Sequence, residues 1–101
     1  MKLLKSAAEL TLLVNKEKGN GLSVGFVPTM GALHEGHISL IENSRRENSL
    51  TICSIFINPT QFNNPDDFKK YPKTIEKDID MLEKWGCDVL FLPEVDEIYH
   101  P

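Results

Sequence analysis

The fold class of this protein is decided by the stretch SVGFVPTMGALHEGHISLI, residues 23–41. Its first part is a short run rich in β-branched and aromatic residues that stops at Pro28, and it predicts a buried strand over residues 23–27. Its last part carries apolar residues at helical spacing and predicts a helix from Gly36 to about Glu47. The stretch is therefore a strand, a turn and a helix start, which together form the repeating unit of α/β proteins.

Two further apolar runs repeat this pattern along the chain. LTICSIFI, residues 50–57, is bounded by Pro59, and DVLFLP, residues 88–93, ends in a proline. Continuous apolar runs are typical of strands that are covered on both faces, as in a parallel sheet. A helix is predicted before each strand, so the order is α-β-α-β-α-β. This order predicts an α/β fold, half of a doubly wound Rossmann-like parallel sheet in three α/β/α layers, with right-handed crossovers.

The first and third helices are predicted from their caps and their apolar faces. Ser6 and Glu9 form the capping-box pattern S-x-x-E, which predicts a helix over about residues 5–18. Thr74 is predicted to cap the third helix, which is expected to stop at Gly86. The packing face of this helix consists of apolar residues at helical spacing: Ile75, Ile79, Leu82 and Trp85.

Composition and charge exclude several classes of protein. Lysine and arginine number 11 against 15 aspartates and glutamates, and the net charge of −4 argues against electrostatic binding to nucleic acid or an anionic membrane. An apolar content of 41% is too high for a disordered chain, and no apolar stretch is long enough to span a bilayer. Lys5 and Glu9 interrupt the N-terminal apolar run, which argues against a signal peptide. Cys53 and Cys87 are expected to be reduced core thiols of a cytoplasmic protein.

The turn TMGALHEGH, residues 29–37, carries the residues best suited to chemistry. A helix start exposes unpaired backbone N–H groups and a partial positive charge, and a glycine there allows a ligand to approach the backbone. These features form a phosphate site, to which His34 and His37 add donors. If a phosphoryl group is attacked there, the imidazoles stabilise the charge that grows on its oxygens, and one of them can donate a proton.

Two other interpretations of the turn stay open at this point. Single histidines near a helix start are often caps or surface residues, and Met30 and Leu33 taken singly are core residues. A metal site is the third interpretation, but H-x-x-H lacks the four-residue step of H-E-x-x-H and has no third ligand nearby. No residue is therefore assigned to a resident metal, and a magnesium ion that arrives with a nucleotide is easier to accept.

A second polar loop, INPTQF, residues 57–62, follows the second predicted strand. The amides of Asn58 and Gln61 offer oriented donors and acceptors, which suit hydroxyl and carboxylate groups of a ligand. Asn-Pro by itself usually marks only a turn. Because ligands bind at the carboxyl ends of the strands in parallel sheets, we expect this loop and the TMGALHEGH turn to line one pocket.

Together, FVPTMGALHEGHISLI, SIFINPTQF, DDFKKYPKT and VLFLPEVDEIYHP resemble consecutive motifs of the pantothenate synthetase family, whose members are also called pantoate–β-alanine ligases. The resemblance covers nearly the whole chain from Val24 onward, in order and at natural spacing. PTMGALHEGH is highly specific, whereas H-x-G-H alone indicates only the wider nucleotidylyl-transferring superfamily, which shares it with class I aminoacyl-tRNA synthetases. PTMG also stands where cytidylyltransferases carry a G-x-F-D strand end.

The resemblance implies an ATP-dependent ligase that acts in two steps. Pantoate and ATP, with magnesium, give pantoyl adenylate and pyrophosphate, and the amine of β-alanine then attacks the adenylate to give pantothenate and AMP. By position, His37 would be the catalytic acid, with His34 beside it on the phosphates. Gln61 would hold pantoate and contact β-alanine in a pocket that Phe56 and Asn58 help to shape. The ATP-binding residues would be Met30, Gly31, Ala32, Leu33, His34, Glu35, Gly36 and His37.

The resemblance also bears on domain organisation, because family members are much longer than this chain. Residues 1–101 are expected to be the N-terminal part of a nucleotide-binding Rossmann-like domain, without its C-terminal half and lid domain, and to have little or no ligase activity alone. A cytoplasmic homodimer that binds neither nucleic acid nor membrane is implied. The alternative function is a non-catalytic module, which either binds a nucleotide or phosphate or assembles through the exposed edge of the truncated sheet.

Overall fold

Four parallel strands form a single sheet in the computed structural model, which describes residues 1–56 and 71–93, with side chains in the second range from residue 75 onward. The strands are β1 (Lys2–Leu4), β2 (Val24–Thr29), β3 (Leu50–Ile55) and β4 (Val89–Phe91), in the spatial order β1-β4-β3-β2. Every neighbouring pair is parallel. The predicted α/β class with a parallel sheet is therefore confirmed.

Within the described residues, three helices alternate with these strands: α1 (Ala7–Gly19), α2 (Glu35–Glu47) and α3 (Tyr71–Trp85). The bounds of α1 and α2 agree with prediction to within two residues. The prediction that Thr74 caps the third helix is wrong, because α3 begins three residues earlier, at Tyr71. Pro72 is compatible with this earlier start, because N–H groups in the first turn of a helix have no hydrogen-bond partner within the helix. Gly86, at φ +80°, stops α3 as expected.

The helices cover both faces of the sheet, which gives the expected three layers. On one face, Leu10, Leu13 and Val14 of α1 pack against a buried cluster that includes Ile52 and Val89. On the other face, α2 and α3 contribute to a second cluster, whose buried members are Val27, Leu33, Ile41, Cys53, Ile55, Leu82, Cys87 and Leu90. β3 is covered on both sides, as its continuous apolar run predicts.

The direction of the chain across the sheet reverses once. It travels from β1 at one edge to β2 at the opposite edge with α1 on one face, and then returns through β3 to β4 with α2 and α3 on the other face. Because the chain reverses its direction across the sheet and also changes face, its crossover connections all have the same handedness. The predicted right-handed connections require this consistency. The carboxyl ends of β2 and β3 consequently lie side by side.

Two details of the strands differ from the sequence-based expectation. β1 was not predicted, because three residues are too few to show a period; its pairing of Lys2 with Val89 and of Leu4 with Phe91 creates it. β2 continues through Pro28 to Thr29 instead of stopping at the proline. β2 is the last strand of the described sheet and is paired only with β3, and such an edge strand tolerates a residue without an N–H donor.

Both cysteines lie in the core as free thiols. Burial, reinforced by the nearby Cys87, raises the pKa of Cys53 to about 12, and burial also raises the pKa of Cys87. Thiols in this state are poor nucleophiles, so they act here as small apolar residues. Among the helices of the described residues, none combines the length and the apolar character that crossing a membrane requires.

Candidate functional site

The turn between β2 and α2 has a backbone conformation that few residues adopt. Gly31 has φ +87° and Ala32 has φ +52°, so two successive residues lie in the left-handed region. Thr29 stabilises the start of this turn, because its Oγ1 donates to the carbonyl of Ser54 at 2.9 Å and accepts the N–H of Gly31 at 3.3 Å. The turn is thereby tied to the end of β3 as well as to β2.

The next two amides of the turn are held by an acidic side chain from α3. The carboxylate of Asp78 accepts the N–H of Ala32 at Oδ2, at 3.0 Å, and the N–H of Leu33 at Oδ1, at 2.9 Å. Asp78 is only 1% exposed. The sequence analysis did not identify this role of Asp78. A usable signal exists, because Asp78 stands at helical spacing between Ile75 and Leu82, on the predicted packing face, where an unpaired charge is unfavourable.

The two histidines cap α2 reciprocally. Nδ1 of His34, the N-cap residue, accepts the N–H of Gly36 at 3.1 Å, and Nδ1 of His37 accepts the N–H of His34 at 3.1 Å. Imidazoles thus replace the hydroxyl and the carboxylate of an ordinary capping box. The ring centroids are 4.3 Å apart with an interplanar angle of 51°.

This capping geometry selects one tautomer for both rings. An Nδ1 atom that accepts a hydrogen bond carries no proton, so the proton of each neutral imidazole is on Nε2. No residue in the described ranges 1–56 and 71–93 forms a hydrogen bond with either Nε2. His34 is exposed and His37 is half-buried. The start of α2 therefore offers two Nε2–H donors beside the positive end of the helix dipole, an arrangement that suits phosphate oxygens.

The environment of His37 favours its neutral form. Partial burial lowers its pKa from 6.5, the neighbouring His34 lowers it further, and the negative charge of Asp78 raises it in part. A neutral His37 keeps the capping box intact, because protonation of Nδ1 would replace an acceptor by a second donor. The same ring remains able to take up a proton when an anionic ligand is present.

The predicted ATP-binding residues are exposed or partly exposed, with one exception. Met30 is 64% exposed, so the interpretation of this residue taken singly as part of the core is wrong. Ala32, His34, Glu35 and Gly36 are also exposed. Leu33 is 6% exposed and lies in the core cluster, as predicted for it singly, so its side chain faces away from any ligand.

The second predicted loop, residues 57–62, lies outside the described residues, which end at Phe56 just before it. The N–H of Phe56 donates to the carbonyl of Thr29 at 3.1 Å, which places the chain after β3 directly beside the histidine turn. Asn58 and Gln61, predicted to bind pantoate and β-alanine, lie outside the described residues. Within the described ranges, no group of three or more histidine, cysteine, aspartate or glutamate side chains could hold a metal ion.

Comparisons with known proteins agree on one family. A family model described as pantoate-beta-alanine ligase matches residues 2–101. A pantothenate synthetase from Cytophaga hutchinsonii is 53% identical over 96 residues, which are 95% of this chain and 34% of that protein. One from Coxiella burnetii is 59% identical over 80 residues, which are 79% of this chain and 31% of that protein.

Solved structures give the same result. The pantoate-beta-alanine ligase from Francisella tularensis, crystallised as a complex with beta-gamma ATP and beta-alanine, matches 98% of this chain with a TM-score of 0.79 and 44% identity, over 38% of its own length. Pantothenate synthetase from Thermus thermophilus matches 99% of this chain with a TM-score of 0.78 and 43% identity, over 34% of its own length. The chain spans about a third of the length of these relatives. It belongs to the pantoate–β-alanine ligase family.

Proposed function

We propose that this protein, as part of a complete ligase, binds ATP at the histidine turn and activates pantoate as an adenylate for condensation with β-alanine. The observation that carries the proposal is the pair of Nε2–H donors that the reciprocal histidine cap presents at the start of α2. The solved relative with beta-gamma ATP and beta-alanine supports ATP and β-alanine as ligands. The family description supports pantoate as the acid substrate.

The first step is a displacement at the α-phosphorus of ATP. A carboxylate oxygen of pantoate bonds to that phosphorus, and the bond to the bridging oxygen breaks, so pyrophosphate leaves with the electron pair. Negative charge grows on the leaving and non-bridging oxygens during this step. The two Nε2–H groups and the α2 N-terminus supply hydrogen bonds to such oxygens in a fixed geometry, which is the usual source of catalysis in phosphoryl chemistry.

The second step transfers the pantoyl group from AMP to the amine. The neutral amine of β-alanine attacks the acyl carbon of the adenylate, the bond to the AMP oxygen breaks, and the nitrogen loses a proton. We assign to His37 the donation of a proton to the leaving phosphate oxygens. In the cap this ring is neutral, so it must take up a proton from solvent or substrate before it can act as an acid. His34 acts as a fixed donor to the phosphates.

Several further assignments are part of this proposal. Met30 to His37 line the ATP site, with Leu33 contributing its backbone only, and Mg²⁺ arrives with the nucleotide. Gln61, Asn58 and Phe56 form the site for pantoate and β-alanine. The complete protein is a homodimer, and residues 1–101 belong to its nucleotide-binding domain. The two buried free thiols support a reducing, cytoplasmic location.

The test is pantoate-dependent exchange of pyrophosphate into ATP by the intact protein. His37→Ala is expected to reduce the exchange rate about 100-fold or more, because exchange reports the first step and one of the two donors to the phosphate oxygens is lost. Glu42→Ala, at an exposed position of α2 away from the turn, is the matched control and is expected to retain wild-type exchange. Unchanged exchange in folded His37→Ala would exclude a role of His37 in adenylate formation, and unchanged pantothenate formation would exclude its role as the acid of the second step.

The alternative, a binding or assembly module without catalysis, gives a different pattern. Calorimetric titration with ATP, with and without Mg²⁺, would then show binding in the absence of any exchange or pantothenate formation. The prediction that residues 1–101 alone have little or no ligase activity is tested by the same assays on that chain. Robust pantothenate formation by it would contradict this prediction.

A further inference from the structure

Asp78 is a charged residue on the packing face of a helix. Leu82, one helical turn further along α3, belongs to the core cluster on the face of the sheet that α2 and α3 cover, and Ile79 packs against that cluster. Asp78 itself is 1% exposed, and within the described residues its only hydrogen bonds are those from the N–H groups of Ala32 and Leu33. A buried carboxylate is unfavourable unless its oxygens are satisfied, so these two bonds define its place in the fold.

Both bonds go to the left-handed turn and to no other part of the chain. Ala32, at φ +52°, holds a left-handed conformation that is unfavourable for a residue with a Cβ, so contacts from outside the turn help to stabilise it. The carboxylate bridges the amides of two successive residues, at 3.0 Å and 2.9 Å, and thereby restricts the orientation of both peptide groups. Residue 34, the N-cap of α2, follows directly.

The turn is therefore attached to a rigid element that lies 45 residues away in the sequence. α3 is anchored in the core through Leu82, which is fully buried. Fixing Ala32 and Leu33 against α3 sets the point at which the chain enters α2, and this entry point determines where the rings of His34 and His37 stand. No residue of the turn itself supplies an equivalent constraint at these two amides.

We propose that Asp78 is a positioning residue, which clamps the Ala32–Leu33 amides to α3 and so presents the Nε2–H groups of His34 and His37 to the ligand. The part of this inference that concerns the ligand rests on the proposed function. The part that concerns the turn does not depend on any activity. Asp78 acts through the turn and does not contact substrate.

Asp78→Asn tests the inference in the intact protein, because the amide has the same shape but only one acceptor oxygen. At least one of the two amides at Ala32 and Leu33 then loses its partner, and its hydrogen exchange is expected to accelerate roughly tenfold or more. In the ¹⁵N spectrum of the imidazoles, the signals of His34 and His37 are expected no longer to show both Nδ1 atoms as unprotonated hydrogen-bond acceptors. ATP affinity, measured by calorimetry, is expected to fall about tenfold while the fold persists.

Asp80→Asn is the matched control, since Asp80 lies on the same helix two residues away and is exposed. It is expected to leave amide exchange, the imidazole spectrum and ATP affinity unchanged. The inference is overturned if folded Asp78→Asn keeps both amides protected and both rings in the wild-type tautomer, or if Asp80→Asn produces the same changes. General loss of stability would accelerate exchange throughout the sheet but would not shift the imidazole tautomers of the folded protein.

If Asp78→Asn fails to fold, the wild-type protein decides the question. Scalar couplings across the hydrogen bonds, between the ¹⁵N atoms of Ala32 and Leu33 and the carboxyl ¹³C of Asp78, are expected together with slow exchange of both amides. Absence of the couplings, with both amides exchanging freely, overturns the inference. Absence of ATP binding in a wild-type protein that shows the couplings would instead contradict the proposed function, so the two failures are distinguishable.

Discussion

The β2–α2–β3 unit has polar groups at both of its ends, and the two ends differ in how these groups are paired. At the amino ends of the strands, which we name the closed end (Gly25, Ser44, Asn48 and Thr51), the polar side chains bond to one another or to the backbone of this end. Ser44 Oγ and Thr51 Oγ1 are 2.8 Å apart, and Asn48 Nδ2 donates to the carbonyl of Ser44 at 3.1 Å.

At the carboxyl ends, which we name the open end (residues 29–37), pairing is only half complete. Each histidine uses Nδ1 for the cap and directs its remaining donor, Nε2–H, to no described residue. At the closed end both hydroxyls and the amide take part in hydrogen bonds within the fold, whereas at the open end each ring uses one nitrogen for structure and leaves the other unpaired by the described residues. Substitutions at the two ends should therefore fail in different ways.

The largest effect on stability is expected from Gly25→Ala at the closed end. A Cβ at Gly25 would overlap Ser44 Oγ and stand 2.6 Å from Asn48 Nδ2, so the Ser44–Thr51 contact must open. We expect a loss of about 2 kcal/mol in the free energy of unfolding, measured by urea titration.

Gly19→Ala is the control for Gly25→Ala, because a Cβ at Gly19 meets nothing within 4 Å. It is expected to be neutral or slightly stabilising, since alanine is the better helix former. If Gly25→Ala were as stable as Gly19→Ala, the closed end would not be tightly packed.

A smaller effect is expected when the cap of the open end is removed. His34→Ala loses the bond from Gly36 N–H at 3.1 Å and is expected to cost about 1 kcal/mol in thermal or urea unfolding. Ser6→Ala at the start of α1 loses a longer bond of 3.4 Å, and is expected to cost only about 0.5 kcal/mol. A larger loss for Ser6→Ala than for His34→Ala would show that the imidazole cap contributes little to the folded state.

Gly36→Ala separates stability from binding at the open end. A Cβ there would lie 2.8 Å from Cε1 of His34, and this exposed ring can swing away into solvent. The expected change in stability is below about 1 kcal/mol, because the gain in helix propensity offsets the lost cap. ATP affinity is nevertheless expected to fall, as measured by calorimetric titration beside a thermal melt. Unchanged ATP affinity would argue that His34 does not contact the nucleotide.

The smallest effect is the pH dependence that His37 confers on the open end. Its pKa is lowered below 6.5, mainly by burial, so the folded state favours the neutral ring. The corresponding stability is fully present above the unfolded value near 6.5 and is lost as the pH falls through the lower pKa of the folded state. Ser6, the cap of α1, has no titratable acceptor and confers no such dependence.

His37→Gln tests this pH dependence, because glutamine can accept the same N–H without titrating in this range. When the pH is lowered from 7.5 to 5, the unfolding free energy of the wild type is expected to fall relative to that of His37→Gln. Urea titrations of both proteins at several pH values measure it. A difference that moves in favour of the wild type on acidification would reverse the sign assigned to His37.

The main elements of the fold follow from local pattern in the sequence. The apolar runs that became β3 and β4 are visible because strands covered on both faces need no alternation. β2 was also expected to be buried throughout, but as an edge strand it alternates between buried and exposed residues and leaves Phe26 53% exposed. α1 and α2 are visible because their caps and apolar stripes lie within the segments themselves. β1 could not be seen, since Lys2–Leu4 has no strand character of its own until β4 supplies its hydrogen-bond partners.

For the candidate site, local sequence was enough to predict two imidazoles around a glycine at a helix start, after a strand of a parallel sheet. How these groups are held could be learned only from the folded chain. Tautomer choice depends on distances between ring and backbone atoms, and the clamp on the turn comes from Asp78, which lies far away in sequence. Local patterns record what a segment prefers, whereas the partner of a buried charge is chosen only when distant segments meet in the folded chain.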